Sequence, residues 1–253
     1  MANLVFEDVS VRFGGLQALC EVSFDLREGE ILGLIGPNGA GKTTVFNVIT
    51  GVYQVSSGQA SYDGQPIAGV PPHRILKMGL ARTFQNIRLF QNMTALENVM
   101  IAQHGRTRAG VLGAVLRLPS QKAEEAHIRD KARWALDFMG LGDLADEEAR
   151  NLPYGLQRRL EISRALASEP RTLLLDEPAA GLNPTESAAL MGDIGRILAQ
   201  GVNVLMVEHD MKVVMGLCTR IVVLEHGEKI AEGPPSDIRK NLRVVEAYLG
   251  TAH

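Results

Sequence analysis

An α/β fold is predicted for this 253-residue chain, with a helical lobe inserted into a core of alternating strands and helices. Three observations predict it. Short apolar runs recur at Ile31–Ile35, Thr172–Leu175, Val202–Val207 and Ile221–Leu224. Helical patterns separate the later runs, at Pro184–Leu198 and Asp210–Leu217. The stretch from Phe90 to Ala167 carries helical patterns and no strand. Strands that alternate with helices build a parallel sheet.

The elements follow in chain order. Leu4, Phe6, Val9, Val11 and Phe13, then Val22, Phe24 and Leu26, alternate with polar neighbours, as strands with one wet face do. Ile31–Ile35 is apolar on both faces, which places it inside a covered sheet. Gly36–Gly41 breaks that strand, and Lys42–Ile49 reads as a helix. In the middle, helices are expected at Ala95–Gln103, Ala123–Met139 and Leu156–Ala167, with Ala132, Ala135, Leu136 and Met139 on one stripe. Gly105–Ser120 is loosely patterned, and its Arg106, Arg108 and Arg117 read as a solvated face. There is no internal repeat and no low-complexity segment.

Composition excludes several classes. Apolar residues are 45% and charged residues 22%, which excludes a disordered or collagen-like polymer. Aromatics are only 5%, so aliphatic side chains must fill the core. The formal charge of −3 gives no support to nucleic-acid binding, which needs a basic excess. Cys20 and Cys218 cannot build a disulfide framework and lack metal-ligand spacing, so two buried thiols in a reducing compartment are expected. The opening Met-Ala-Asn-Leu-Val-Phe-Glu lacks the layout of a signal peptide, and no apolar run approaches the ~18 residues that span a bilayer. A soluble chain is expected, with any membrane role exercised through a partner.

Two motifs carry chemistry. Gly36-Pro37-Asn38-Gly39-Ala40-Gly41-Lys42-Thr43-Thr44 fits G-x-x-x-x-G-K-[ST] and lies between a buried strand and a helix, as a phosphate loop must. Its glycines allow successive N–H groups to curl into an anion nest, and the helix start adds positive dipole. Lys42 is expected to reach the β- and γ-phosphates and the Thr43 hydroxyl to hold Mg²⁺. The bland alternative is a glycine-rich turn. The second motif is Thr172–Leu175 followed by Asp176-Glu177-Pro178. It places two carboxylates at the C-terminal edge of the sheet, beside the phosphate loop. Asp176 is expected to hold Mg²⁺ through water, and Glu177 to act as general base on the attacking water. Alone, such acids often cap the next element; beside a phosphate loop, the metal reading is preferred.

Together with Leu152-Pro153-Tyr154-Gly155-Leu156-Gln157-Arg158-Arg159, these motifs resemble those of ATP-binding cassette (ABC) ATPases over essentially the whole chain. Within that family the chain is most similar to the ATPases of branched-chain amino acid importers. Ala81–Phe90, Ala179-Ala180-Gly181-Leu182-Asn183-Pro184 and Glu208-His209-Asp210-Met211 carry the finer match. The resemblance implies a P-loop NTPase with a mixed sheet core, an antiparallel β subdomain and an inserted α-helical subdomain. It implies a single ABC domain over 1–253, with 1–89 and 168–253 as core plus antiparallel subdomain and 90–167 as the helical signature subdomain. Residue by residue, it implies Gln85 as the Mg²⁺-touching Q-loop glutamine and Phe13 as the ring that stacks on adenine, with an inward strand residue as Phe13's alternative. It implies Leu152–Leu156, with the Tyr154 and Gly155 amides, as the signature that binds the opposite subunit's γ-phosphate. Ala180–Asn183 match the D-loop and His209 the switch histidine that contacts γ-phosphate.

Two positions depart from the family pattern. Pro153 replaces the signature serine and so loses a hydroxyl and an N–H, and Asn183 replaces the D-loop acid. The implied substrate and ion are ATP and Mg²⁺. The implied partners are a second ABC subunit (a copy or a paralogous ATPase), two membrane permeases and, indirectly, an extracytoplasmic binding protein, at the cytoplasmic face of the membrane. Three other readings stay open: an ATPase for urea import or lipopolysaccharide export, a soluble ABC protein acting on DNA or ribosomes, and a P-loop kinase of small metabolites. The long coiled-coil insertion of DNA-repair relatives and the second cassette of translation-type relatives are missing, and a kinase would not explain Leu152–Arg159 or His209.

Overall fold

The computed structural model describes residues 2–104 and 119–249, so Arg106, Arg108 and Arg117 lie outside the described residues. The chain divides into two compact units. One takes the chain up to Arg82 and again from Arg171, and the other spans Thr83–Pro170.

The first unit opens with β1 (Ala2–Phe13), β2 (Leu16–Arg27), β3 (Ile31–Ile35), α1 (Lys42–Ile49), β4 (Ser57–Tyr62), β5 (Gln65–Pro66), α2 (Pro72–Lys77) and β6 (Leu80–Arg82). The second unit holds α3 (Ala95–His104), α4 (Pro119–Phe138) and α5 (Tyr154–Ala167). The chain then returns to the first unit with β7 (Thr172–Asp176), α6 (Pro184–Ala199), β8 (Asn203–Val207), α7 (Met211–Leu217), β9 (Arg220–Glu225), β10 (Glu228–Gly233), α8 (Pro235–Ile238) and α9 (Leu242–Leu249).

Two sheets build the first unit, in the orders β2-β1-β4-β5 and β10-β9-β3-β8-β7-β6. Strands β3, β7 and β8 are buried at every residue, as apolar runs covered on both faces require. Strand β3 pairs in parallel with β8 and β9, and β7 pairs in parallel with β8 and β6. The mixed sheet that the resemblance implies arises at one edge, where β10 runs antiparallel to β9. The cause is local. His226 (φ 49°) and Gly227 (φ 84°) both take positive φ, the two-residue hairpin turn that reverses a strand at once. The larger sheet is therefore mixed.

The smaller sheet is antiparallel, and its inner face shares a core with α1. Leu4, Phe6, Val22, Phe24 and Leu26 pack in one cluster with Val45, Phe46 and Ile49. Phe6 and Phe24 stack at 4.7 Å. Cys20 lies one residue beyond buried Leu19 on β2 and is half-buried, whereas Cys218 is buried, so only one thiol matches the expected burial.

Among the described residues the second unit contains no strand, only an isolated bridge between Thr94 and Glu148. Helix α3 begins with a reciprocal cap: the Thr94 hydroxyl accepts from Glu97 N–H (3.1 Å) and the Glu97 carboxylate accepts from Thr94 N–H (2.9 Å). Ala132, Ala135 and Leu136 of α4, with Met139 just beyond it, are fully buried, as are Leu160 and Ile162 of α5.

Candidate functional site

The loop between β3 and α1 depends on glycine for space as well as torsion. A Cβ on Gly36 would lie 2.1 Å from the Leu224 carbonyl oxygen. A Cβ on Gly41 would lie 2.7 Å from Leu19 Cδ2, and Gly41 has φ 103°. Only glycine lets the backbone approach β9 and β2 so closely while turning into the helix. Helix α1 then starts at Lys42 with no side-chain cap, so its first N–H groups are not claimed by a capping side chain.

Lys42 is buried and folds back over its own loop. Its Nζ donates to the carbonyls of Gly36 (2.6 Å) and Pro37 (2.9 Å). Burial pulls its pKa below the usual lysine value, while the negative charges of Glu177 and Asp176 pull it back up. The ammonium thus lies in the field of both carboxylates. Sheet register explains why. Leu34 of β3 pairs with Val207 of β8, which pairs with Asp176 of β7. Three parallel strands therefore end in one row, and Gly36, Glu208 and Glu177 leave the sheet at the same carboxyl edge.

Asp176 is buried, and its Oδ2 accepts from Arg82 Nη2 at 2.7 Å. Arg82 also donates to Asn47 Oδ1 (2.8 Å) and lies over the Phe46 ring (5.2 Å). It ties β6, α1 and β7 together at the site, a role that sequence reasoning missed because nothing near Arg82 in sequence announces Asp176. Glu177 takes positive φ (48°), rare for a side chain of its size, and its N–H donates to the Val207 carbonyl (2.9 Å). Its Oε1 meets His209 Nε2 at 2.9 Å. The donor set suits Mg²⁺, which keeps several waters and takes one or two carboxylates plus substrate phosphates. Asp176 supplies a carboxylate and Thr43 an exposed hydroxyl at the start of α1. No group of three or more His, Cys, Asp or Glu side chains that could cage a metal occurs among the described residues.

Phe13 is 44% exposed at the end of β1 and meets Tyr53 edge-on at 4.9 Å, so it is not an inward strand residue. Asn38 and Gly39 are exposed, Ala40 is buried and Thr44 is half-buried. Asn183 caps α6: its side chain accepts from Glu186 N–H (3.0 Å), and Glu186 returns the bond to Asn183 N–H (3.0 Å). The residue that departs from the D-loop acid is thus engaged in starting a helix.

Gln85, Tyr154 and Gly155 lie in the second unit. Pro153 is the N-cap of α5, with Tyr154 its first residue, so the proline sits where a missing N–H costs least. Arg158, 1% exposed, donates to the carbonyls of Phe84 (2.9 Å) and Gln85 (2.9 Å) and to Glu161 (2.8 Å). The Gln85 backbone is thereby fastened to the helix that Tyr154 and Gly155 open.

Comparison with known proteins agrees with this geometry. The chain matches the family described as ABC transporter over residues 19–180. Residues 228–253 match a family described as branched-chain amino acid ATP-binding cassette transporter. The high-affinity branched-chain amino acid transport ATP-binding protein LivG of Salmonella typhimurium is 45% identical over 250 residues, covering 98% of each chain. A crystal structure of the ADP conformation of MJ1267, an ATP-binding cassette of an ABC transporter, superposes with a TM-score of 0.86 at 30% identity, covering 99% of each chain. A dimeric structure of a post-hydrolysis state of the ATP-binding cassette MJ0796, bound to ADP and Pi, gives 0.75 at 25% identity, covering 92% of this chain and 98% of the other. A phosphate loop, two carboxylates and a histidine on one sheet edge, in a chain with these relatives, lead to one conclusion: the protein belongs to the ATP-binding cassette family, as an ATP-hydrolysing subunit of an ABC transporter.

Proposed function

We propose that this ATPase energises import of branched-chain amino acids, and that it does so with the residues gathered at the carboxyl edge of the larger sheet. The observation that carries the reading is the buried Lys42 ammonium held in the field of Asp176 and Glu177, with Glu177 bonded to His209. N–H groups of the 36–44 loop, other than at Pro37, cradle the phosphates, and Lys42 turns from the loop carbonyls to the β- and γ-phosphates. Phe13 offers an exposed ring to adenine. Glu177 takes a proton from the attacking water, and His209 orients Glu177 and the γ-phosphate. Asp176 and Thr43 would hold Mg²⁺, which would supply neutralisation of phosphate charge.

The dimer follows from charge completion. Phosphoryl transfer is chiefly positioning and electrostatics, so a second subunit's Tyr154 and Gly155 amides, at a helix start, finish the cage around the γ-phosphate. The partner is a second copy or a paralogous ATPase. Permeases and a binding protein choose the solute, and the identity to LivG supports branched-chain amino acids. Among the described residues no helix is long and apolar enough to cross a membrane, which fits a peripheral subunit on the cytoplasmic face.

The test is Glu177→Gln. Steady-state ATPase should fall about a hundredfold or more while ATP binding persists, and ATP should drive the variant into dimers visible by light scattering. Undiminished hydrolysis would sink the assignment of the base. For the solute, leucine uptake by vesicles carrying the permeases should depend on this chain, and uptake of urea instead would redirect the proposal.

A further inference from the structure

Glu208 is the last residue before His209, and none of the roles above uses it. Its side chain is 3% exposed. A carboxylate so deep needs several donors to offset its lost hydration. It has three, all backbone amides. Oε1 accepts from Ala179 N–H at 2.7 Å, and Oε2 accepts from His209 N–H at 3.0 Å and Asp210 N–H at 3.4 Å.

These donors belong to two different loops. His209 and Asp210 follow β8, while Ala179 follows β7, two residues past Glu177. The Ala179 turn is closed on Glu177 by the Ala180 N–H bond to the Glu177 carbonyl (3.1 Å). One carboxylate therefore holds the backbones of both loops whose side chains meet at the 2.9 Å Glu177–His209 contact. Two acceptor oxygens are essential. An amide in place of the carboxylate would leave one loop facing an NH₂ group, donor against donor.

We propose that Glu208 is a positioning residue that clamps the Glu177 loop to the His209 loop and so sets the geometry of water attack on the γ-phosphate. The proposal rests on the roles assigned above to Glu177 and His209. Small displacements of a base from its water cost rate steeply, whereas phosphate binding on the 36–44 loop does not pass through this clamp.

The experiment compares Glu208→Gln and Glu208→Asp with the unaltered chain and with Glu177→Gln, each measured for kcat, KM and the Kd of ATP. For Glu208→Gln we expect kcat to fall tenfold or more, with the Kd of ATP within about twofold. Glu208→Asp keeps both oxygens on a shorter arm and should recover part of the lost kcat. Unchanged kcat in Glu208→Gln overturns the proposal. So does a loss of kcat and ATP affinity together in both variants, which is what mere structural damage would produce. Intact hydrolysis in Glu177→Gln would instead indict the assignment of the base, a failure that this design separates from a failure of Glu208.

Discussion

Beneath Gly33 of β3 a thiol fills the space that a side chain would need: a Cβ there would lie 2.8 Å from Cys218 Sγ. Burial, helped by the negative charge of Glu208, pushes the Cys218 thiol from its ordinary 9.0 up to about 12. The sign follows from proton binding. The folded chain holds this proton more tightly than the unfolded chain, so the stability it contributes is full below pH 9 and is lost as pH climbs towards 12. At pH 8 the native protein should therefore react with a thiol reagent at half-buried Cys20 alone, and at both cysteines in urea. Two equivalents consumed rapidly by the native chain would contradict this. The same scale shows where reading ahead from sequence stops. Lys42, Asp176 and Glu177 are legible from motif spacing, and His209 only through the family resemblance. Arg82 and Glu208 are not, because their partners lie far away in sequence: Arg82 reaches Asp176, and Glu208 reaches Ala179.

Among the elements, α5, which Tyr154 and Gly155 open, carries the largest fully buried side chain among the described residues, Arg158. Its pairing with Glu161 at 2.8 Å leaves both side chains 1% exposed. Burial raises the Glu161 carboxyl above its ordinary range, and the Arg158 charge works against that rise. Breaking a buried pair strands a charge, at a cost of about 3–5 kcal/mol. Arg158→Ala should thus lower the urea midpoint sharply, and adding Glu161→Leu should recover part of the loss. A double-mutant cycle in which the two losses simply add would show that the pair is not coupled. Element legibility follows the same physics of burial. Strands β3, β7 and β8 are apolar throughout and stand out, and the helices of the second unit begin and end within a few residues of their periodic stripes. Strands β4 and β10 were not legible one by one. Ser57–Tyr62 and Glu228–Gly233 are largely polar, and pairing with β1 and β9 makes them strands.

Over the whole molecule, a transport ATPase must convey the state of its nucleotide to a membrane partner through surface that it does not need for hydrolysis. The segment after Gln85 meets that description. Phe84 and Phe90 are 36% and 50% exposed, an unusual show of aromatic surface in a chain with only 5% aromatics. The Arg88 guanidinium lies 4.5 Å over the Phe84 ring, so the patch offers a cation beside apolar area. Its backbone is anchored from below, because the Arg88 carbonyl accepts from Arg164 and the carbonyls of Phe84 and Gln85 accept from Arg158. Under the import function proposed above, the resemblance to importer ATPases implies that residues around 85–93 receive a short helix of the permease. A permease element seated here would move with the Gln85 backbone and with the α5 helix that presents Tyr154 and Gly155. Arg88→Glu reverses the charge of the patch without touching Lys42, Asp176, Glu177 or His209. In vesicles carrying the permeases it should cut solute uptake tenfold or more, while the ATPase rate of the isolated chain stays within about twofold, because a rim charge sets docking rather than chemistry. If uptake and isolated ATPase fall together, Arg88 serves the nucleotide site and the coupling surface must lie elsewhere.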